Sequence, residues 1–202
     1  MTRPPSDVAF TGAVKAEQTR RGSRAQFQRV EQGAGWPCTV TPELAQVLAA
    51  VRSFYLGTAS AAGQPYIQHR GGPAGFLKAL DETTLAFADF GGNRQYITAG
   101  NLAENNRAFI FLMDYAKRRR IKLWGSAKII ENDQALLTSL ADPAYAAAPE
   151  RAIVFTINAW DRNCAQHIPR LLPFDDVASA IGQLEHRIAA LEVENARLRG
   201  DS

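Results

Sequence analysis

Apolar positions along the chain fall into short runs of strand-like texture, preceded by one compact helical stretch and followed by a longer one at the C-terminal end. Thr41-Pro42-Glu43 has the form of a helix start, with Thr as N-cap and Pro in the first turn. Leu44, Val47, Leu48 and Val51 then recur at helical spacing, which predicts a helix over 42–52. From Phe54 the period shortens. Phe54-Tyr55-Leu56-Gly57-Thr58, a turn at Ala62-Gly63-Gln64 and the extended Tyr66-Ile67-Gln68-His69 predict a hairpin over 53–69. Gly71, Gly72, Pro73 and Gly75 break regularity, and Thr84 to Ala88 reads as another strand. Residues 93–104 are predicted helical, whereas Ala108 to Met113 is the continuous apolar run of a buried strand. Ile121 to Ile130 alternates, with Gly125 placed for a bulge or a close approach. An Ala-rich helix over 133–148 and a strand at Ile153–Ile157 complete the series. Closely spaced strands with few intervening helices predict an antiparallel barrel rather than a parallel α/β sheet. Residues 1–40 mix Pro, Gly, Arg and Gln with little periodicity and read as an N-terminal extension that wraps something larger.

The most regular pattern comes last. Val177, Ile181, Leu184, Ile188, Leu191, Asn195 and Leu198 alternate spacings of four and three. With Ile181, Ile188 and Asn195 at a, and Val177, Leu184, Leu191 and Leu198 at d, the heptads have the composition of a parallel two-stranded coiled coil. A single Asn at a is a device for fixing register. Arg187 at g faces Glu192 at e of a partner, and Glu194 faces Arg199, each exposed pair worth ~0.2–1 kcal/mol. The alternative is a lone amphipathic helix lying on its own barrel. Pro169 and Pro173 prevent a basic helix from running continuously into the zipper, which excludes a DNA-reading leucine zipper. The expected organisation is therefore an extension over 1–40, a barrel domain over 41–172 and a coiled-coil helix over 174–200.

Composition changes this picture little. At 202 residues, 46% hydrophobic and 21% charged, the chain is globular in type. It has no apolar run near the ~20 residues that span a bilayer, and Arg3, Pro4, Pro5 and Asp7 do not form a secretory signal. A cytoplasmic protein is expected. Cys38 and Cys164 are the only cysteines, so no disulfide framework is implied. A net charge of +3 suits an anionic ligand as well as it suits nucleic acid.

Three basic clusters are candidates for such a ligand: His69-Arg70 with Lys78, Gly92-Asn93-Arg94-Gln95-Tyr96, and Lys117 to Arg120 with Lys122. A glycine-bearing turn followed by Asn and Arg at a helix start suits phosphate, because backbone N–H groups, the helix dipole and a forked guanidinium all favour an anion. The same residues read equally well as solvated basic side chains. For 117–122 a solvated hairpin face is the stronger reading, and nucleic-acid binding would need exposed aromatics that the apolar runs do not offer. No hydrolase constellation emerges. Cys164 and His167 have half the spacing of a metal site, but no second ligand pair is visible, so no metal is expected.

Several separated motifs agree in order and spacing with one family. Gly63-Gln64-Pro65-Tyr66, a basic residue, Leu77-Lys78, Leu85-Ala86-Phe87, Asn93-Arg94-Gln95 and Glu104-Asn105-Asn106 resemble the FMN-binding core of pyridoxamine 5′-phosphate oxidases. The uncharacterised flavin-nucleotide-binding branch of that superfamily is more similar still. It matches across Gln68 to Pro73, Gly92 to Tyr96, Gly100-Asn101-Leu102, Arg119 to Gly125 and Trp160 to Ile168. The resemblance spans most of residues 10–170 and leaves the zipper outside.

That resemblance implies a mainly β fold with helices, a six-stranded antiparallel split β-barrel, acting as a homodimer with FMN in the subunit interface. It implies that Lys78, Arg94 and one of His69 or Arg70 contact the FMN phosphate or ribityl chain, with Asn93 and Gln95 adding hydrogen bonds. Arg120 stands where the family has a flavin-contacting Gln on a partner-subunit strand. Trp160 and Arg170 have the spacing of a Trp and an Arg that lie near the isoalloxazine across the dimer. Between them the oxidases carry a basic residue and a His that engage the pyridoxal group. Gln166 and Ile168 stand at those places here, which argues against vitamin B6 compounds as substrates. The activity implied is FMN-dependent transfer of hydride or electrons to or from a small molecule, with His167 a weak catalytic candidate. The alternatives are a non-catalytic flavin-binding module acting through its zipper, and a split barrel that binds haem or a deazaflavin, since fold alone does not fix function.

Overall fold

The computed structural model describes residues 3–163 and 165–200. They form two compact units, one of residues 3–113 and 120–163, the other of 114–119 and 165–200.

The first unit is built on one antiparallel sheet. Its strands are β1 (Ser53–Ala59), β2 (Pro65–Gly71), β3 (Lys78–Ala79), β4 (Thr84–Phe90), β5 (Arg107–Asp114), β6 (Arg119–Ile130) and β7 (Pro149–Asn163), in the order β2-β1-β5-β6-β7-β4-β3. The expected mainly β architecture with helices is what forms, and the two-residue β3 brings the strand count to seven. β1 and β2 make the predicted hairpin, from Ser53 against Gly71 to Ala59 against Pro65. Its turn includes Gly63 at φ 87°, a left-handed conformation that glycine adopts without a Cβ penalty.

β6 and β7 shift register between Trp124 and Gly125, the bulge that the glycine predicted. A Cβ on Gly125 would press into the Thr156 carbonyl oxygen and stand 2.6 Å from Phe155 Cζ. Only glycine lets the two strands come this close.

The sheet buries a core that includes Phe54, Leu56, Leu85, Phe87, Ile110, Leu123, Ile153 and Phe155. Phe54 stacks on Phe76 at 5.4 Å and meets Phe87 edge-on at 5.0 Å. The helix α3 (Pro42–Ala50) places Leu44, Val47 and Leu48 in this core, with Thr41 Oγ1 accepting from the Leu44 N–H as the sequence predicted. A smaller cluster forms where Leu137 and Leu140 of α5 (Gln134–Leu140) meet Ala86, Ala88, Ala152 and Val154. α5 is half the helix expected over 133–148. It stops before Asp142-Pro143, since a proline disfavours helical backbone in the residue before it.

The N-terminal extension holds a 3₁₀ turn (Pro5–Val8) and two helices, α1 (Gly12–Arg20) and α2 (Arg24–Gln32), that the sequence did not announce. Phe10, Trp36, Trp124 and Phe109 form a ladder of rings 4.8, 5.0 and 5.1 Å apart, joining the extension to β5 and β6. The following strap is tied by backbone, the Trp160 N–H donating to Pro37 and the Val40 N–H to Glu82. Aromatic burial and these bonds together hold it on the sheet.

In the second unit, Arg118 donates from Nε to the Ile168 carbonyl at 2.9 Å and from a terminal nitrogen to that of Ala165 at 3.0 Å. This unit also carries α6 (Phe174–Arg199), which spans the whole predicted zipper. No helix among the described residues is long and apolar enough to cross a membrane.

Candidate functional site

The hairpin register decides which of two adjacent basic residues faces the barrel. Residues directly opposite in an antiparallel pair share a face of the sheet, and neighbours along a strand take opposite faces. Arg70 lies opposite Phe54, which is buried, while His69 lies opposite the exposed Tyr55 and meets its ring edge-on at 5.8 Å. Arg70 therefore points inward and His69 outward.

Inside, Arg70 pairs with Asp89 of β4, and its guanidinium lies 5.8 Å from the centre of the Phe87 ring. β2 ends the sheet on one side and β4 is next to last on the other. The sheet thus curls until these strands meet through side chains, and a cavity of about 200 Å³ opens at the junction. Arg70, Asn93, Arg94, Gln95 and Arg151 line it, with the carboxylates of Asp89 and Glu150.

The β4–β7 register sets Arg151 opposite Asp89. Arg151 Nε lies 3.4 Å from the Asp89 carboxylate, its NH2 group donates to Glu150 at 2.7 Å, and its guanidinium lies 5.3 Å from the Tyr96 ring. The Glu150 hydrogen bond, then Asp89 nearby, raises the Arg151 pKa above its ordinary value, so the group is a fixed cation.

Between β4 and the helix α4 (Ile97–Glu104) the backbone takes an unusual path. Arg94 and Tyr96 are left-handed at φ 58° and 54°, a region that side chains other than those of Gly, Asn and Asp enter at a cost of order 1–3 kcal/mol each. An Asx turn helps to hold the bend, with the Gln95 N–H donating to Asn93 Oδ1 at 3.2 Å. The Tyr96 side chain gives α4 no capping hydrogen bond. Ile97, Thr98 and Ala99, whose N–H groups begin the helix and have no partner within it, line the same cavity. The Thr98 hydroxyl donates to Gln68 Oε1 at 2.7 Å and fixes the helix start to β2. The expected helix over 93–104 is thus α4 alone, and the residues 93–96 form the bend that presents it.

The arrangement suits an anion. Three guanidiniums face two carboxylates, the α4 dipole is positive at this end, and Arg70 Nε is buried with no acceptor among the described residues. Of the sequence-predicted site residues, the structure gathers Arg70, Asn93, Arg94 and Gln95. Lys78 is spent elsewhere, its Nζ donating to the Ser139 carbonyl at 2.7 Å. Arg120 lies 5.8 Å from the centre of the Phe111 ring, with its Nε also buried and without an acceptor among the described residues. Trp160 is buried, and its indole N–H donates to the Thr39 carbonyl at 2.8 Å. In the second unit His167 is left-handed and exposed, Arg170 and Gln166 are exposed, and Ile168 is buried. Cys164 lies outside the described residues. Sequence reading missed Arg151, Asp89 and Glu150. The signal for them was a strand register, which no local pattern carries.

Comparison with known proteins places this geometry in a family. The pyridoxamine 5′-phosphate oxidase model matches residues 40–164, more than half of the chain. Among solved structures, HupZ of Group A Streptococcus superposes with a TM-score of 0.50 at 16% identity, covering 65% of this chain and 98% of that one. An FMN-binding protein from Syntrophomonas wolfei subsp. wolfei gives 0.46 at 15% identity, covering 82% and 100%. A protein related to general stress protein 26, of the pyridoxinephosphate oxidase family, from Clostridium acetobutylicum gives 0.47 at 17%, covering 67% and 94%. At 16% identity the likeness to HupZ concerns the fold alone. No curated protein matches the chain. With a family match across the whole sheet and its anion-suited cavity, the chain belongs to the pyridoxamine 5′-phosphate oxidase family.

Proposed function

We propose that this protein is an FMN-binding oxidoreductase of the cytoplasm, working as a homodimer on a small-molecule substrate. One observation carries the reading: Arg70, Arg94 and Arg151 converge with the uncapped start of α4 on one cavity. That donor set fits a phosphate monoester, which takes several charge-assisted hydrogen bonds at once. Arg94 would hold the phosphate of FMN by its forked guanidinium, and Asn93 and Gln95 would add amide hydrogen bonds. Arg70 would give its buried Nε, while Asp89 and Glu150 keep the three guanidiniums from repelling one another. The family pattern assigns Arg120, Trp160 and Arg170 to the flavin of the partner subunit, and the same assignment is proposed here. Lys78, and His69 as the alternative to Arg70, keep the family's assignment to the FMN phosphate or ribityl chain, although neither lines the cavity.

When bound, FMN supplies the hydride or electron transfer, and the protein supplies binding and orientation. Ile168 is apolar and buried where the oxidases engage pyridoxal, which favours another substrate.

The test is a visible spectrum of the purified protein, followed by titration with FMN. Arg94→Ala removes a charged hydrogen bond worth ~1.5–3 kcal/mol, so FMN should bind about 10- to 100-fold more weakly with the fold unchanged. Unchanged affinity would remove the phosphate assignment, and a colourless protein that ignores added FMN would remove the flavin.

A further inference from the structure

α6 begins at Phe174, where the sequence placed its start, and its first turn adds one more a position before Val177, the first heptad position assigned from the sequence. Phe174, the first residue of the helix, falls at a, seven before Ile181. The seam is then Phe174, Ile181, Ile188 and Asn195 at a, with Val177, Leu184, Leu191 and Leu198 at d. The apolar members are all exposed, from 36% at Val177 to 82% at Phe174. An apolar stripe of this length, interrupted only by Asn195, marks an interface. The rest of the helix carries both signs of charge, from Glu185, Arg187, Glu192, Glu194, Arg197 and Arg199. A membrane-surface helix would instead have a predominantly basic polar face.

We propose that the partner is a second copy of this chain, paired with the first in parallel and in register as a two-stranded coiled coil. Ile at two of the a positions and Leu at three of the four d positions favour two parallel strands. Asn195 then sets the register. In the parallel aligned pair it meets Asn195 of the partner subunit, amide to amide. An antiparallel pair would set it against an apolar d residue and leave a buried amide without a partner.

The charges choose the same alignment. In register, Arg187 faces Glu192 of the partner subunit and Glu194 faces Arg199 of the partner subunit. A slip of one heptad brings Arg187 against the partner's Arg199 and Glu194 against the partner's Glu192. Both contacts are repulsive and only one attractive contact, the partner's Arg187 against Glu185, replaces the four of the aligned pair, so the slipped pair loses most of its charge complementarity together with its Asn pair. The helix ends are also formed, with Asp175 and Asp176 in the first turn, Arg197 and Arg199 in the last, and Gly200 left-handed at the C-cap. The proposal stands on these features alone and does not depend on flavin.

Cross-linking tests it in the full chain, with Cys38 and Cys164 replaced by Ser. Leu198→Cys puts a thiol at the last d position, and His186→Cys puts one at an outward position. Parallel in-register d residues have Cα atoms within the ~4.4–6.8 Å that a disulfide spans. Mild oxidation at low micromolar concentration should link most of the Leu198→Cys chains and less than about a tenth as many His186→Cys chains. An antiparallel pair would hold the two 198 positions at opposite ends of a helix ~39 Å long. Failure of Leu198→Cys to link, or equal linking of both variants, overturns the proposal.

Adding Glu194→Arg to Leu198→Cys should lower the yield several-fold, and adding Arg199→Glu as well should restore it. Without that restoration the register is wrong. A flavin titration on the same proteins separates the two readings, because lost FMN binding with intact cross-linking counts against the flavin site alone.

Discussion

Asp89 is the residue whose removal most directly tests the electrostatics of the cavity. Its carboxylate is shared by Arg70 and Arg151, and the three side chains are 15%, 13% and 14% exposed. Asp89→Asn keeps the shape and removes the charge. Taking one partner from a fully buried pair costs ~3–5 kcal/mol, whereas an exposed pair contributes ~0–1 kcal/mol. The Asp89 network lies between these limits, and Arg151 retains its hydrogen bond to Glu150. A loss of ~2 kcal/mol follows, which lowers the Tm of a chain of this length by about 4–8 °C.

The effect on an anion has the opposite sign. Asp89 competes with a bound phosphate for the same two guanidiniums, so its neutralisation should tighten FMN binding by about tenfold, or ~1.4 kcal/mol. Thermal melts with and without FMN read both effects. The variant should melt lower without flavin and gain more from adding it. A Tm within about 1 °C of the unsubstituted protein would show that the ion pairs hold nothing together. A flavin-induced shift that disappears would show that Asp89 works with the anion rather than against it.

Two further tests concern the frame around the site. Gly125→Ala forces a Cβ against the Thr156 backbone and the buried Phe155 ring, an overpacking cost of ~3 kcal/mol. Gly100→Ala, in α4 with nothing within 4 Å of its Cβ, should stabilise by ~0.5–1 kcal/mol through helix propensity. Urea unfolding of both variants checks the signs, and equal effects would refute the close approach at the bulge. Asp81 has a pKa below its ordinary value, chiefly because the Thr83 N–H donates to its carboxylate at 2.7 Å. Its contribution to stability is therefore present above the ordinary carboxylate range and is lost as pH falls through the lowered folded value. The urea midpoint of Asp81→Ala should lie below that of the unsubstituted protein at neutral pH and converge with it in acid; a constant gap would refute the linkage.

What could be read in the sequence was what a short stretch of chain settles by itself. Thr41-Pro42 caps a helix whatever lies elsewhere, a 3.5-residue period runs unbroken through α6, and Gly125 interrupts an alternating strand where a side chain would not fit. The start of α4 was legible only approximately, since the helix was expected from residue 93 and begins at Ile97 after an Asx turn and two left-handed residues. α1 and α2 were not legible, because α1 has no apolar stripe and α2 sets only Phe27 and Val30 against an otherwise polar helix, too few to mark it. The cavity was only half legible. Arg70 and Arg94 belong to recognisable local motifs, but Arg151 faces Asp89 through the β4–β7 register, which pairs residues 62 positions apart. Tertiary packing chooses such a partner, and one residue of slip would turn Arg151 to the other face. The hairpin shows what suffices to recover that kind of information. Once Phe54 is known to be buried, its pairing with Arg70 sends that guanidinium inward and His69 outward, so the burial of a phenylalanine on the neighbouring strand tells which of two adjacent basic side chains faces the barrel interior.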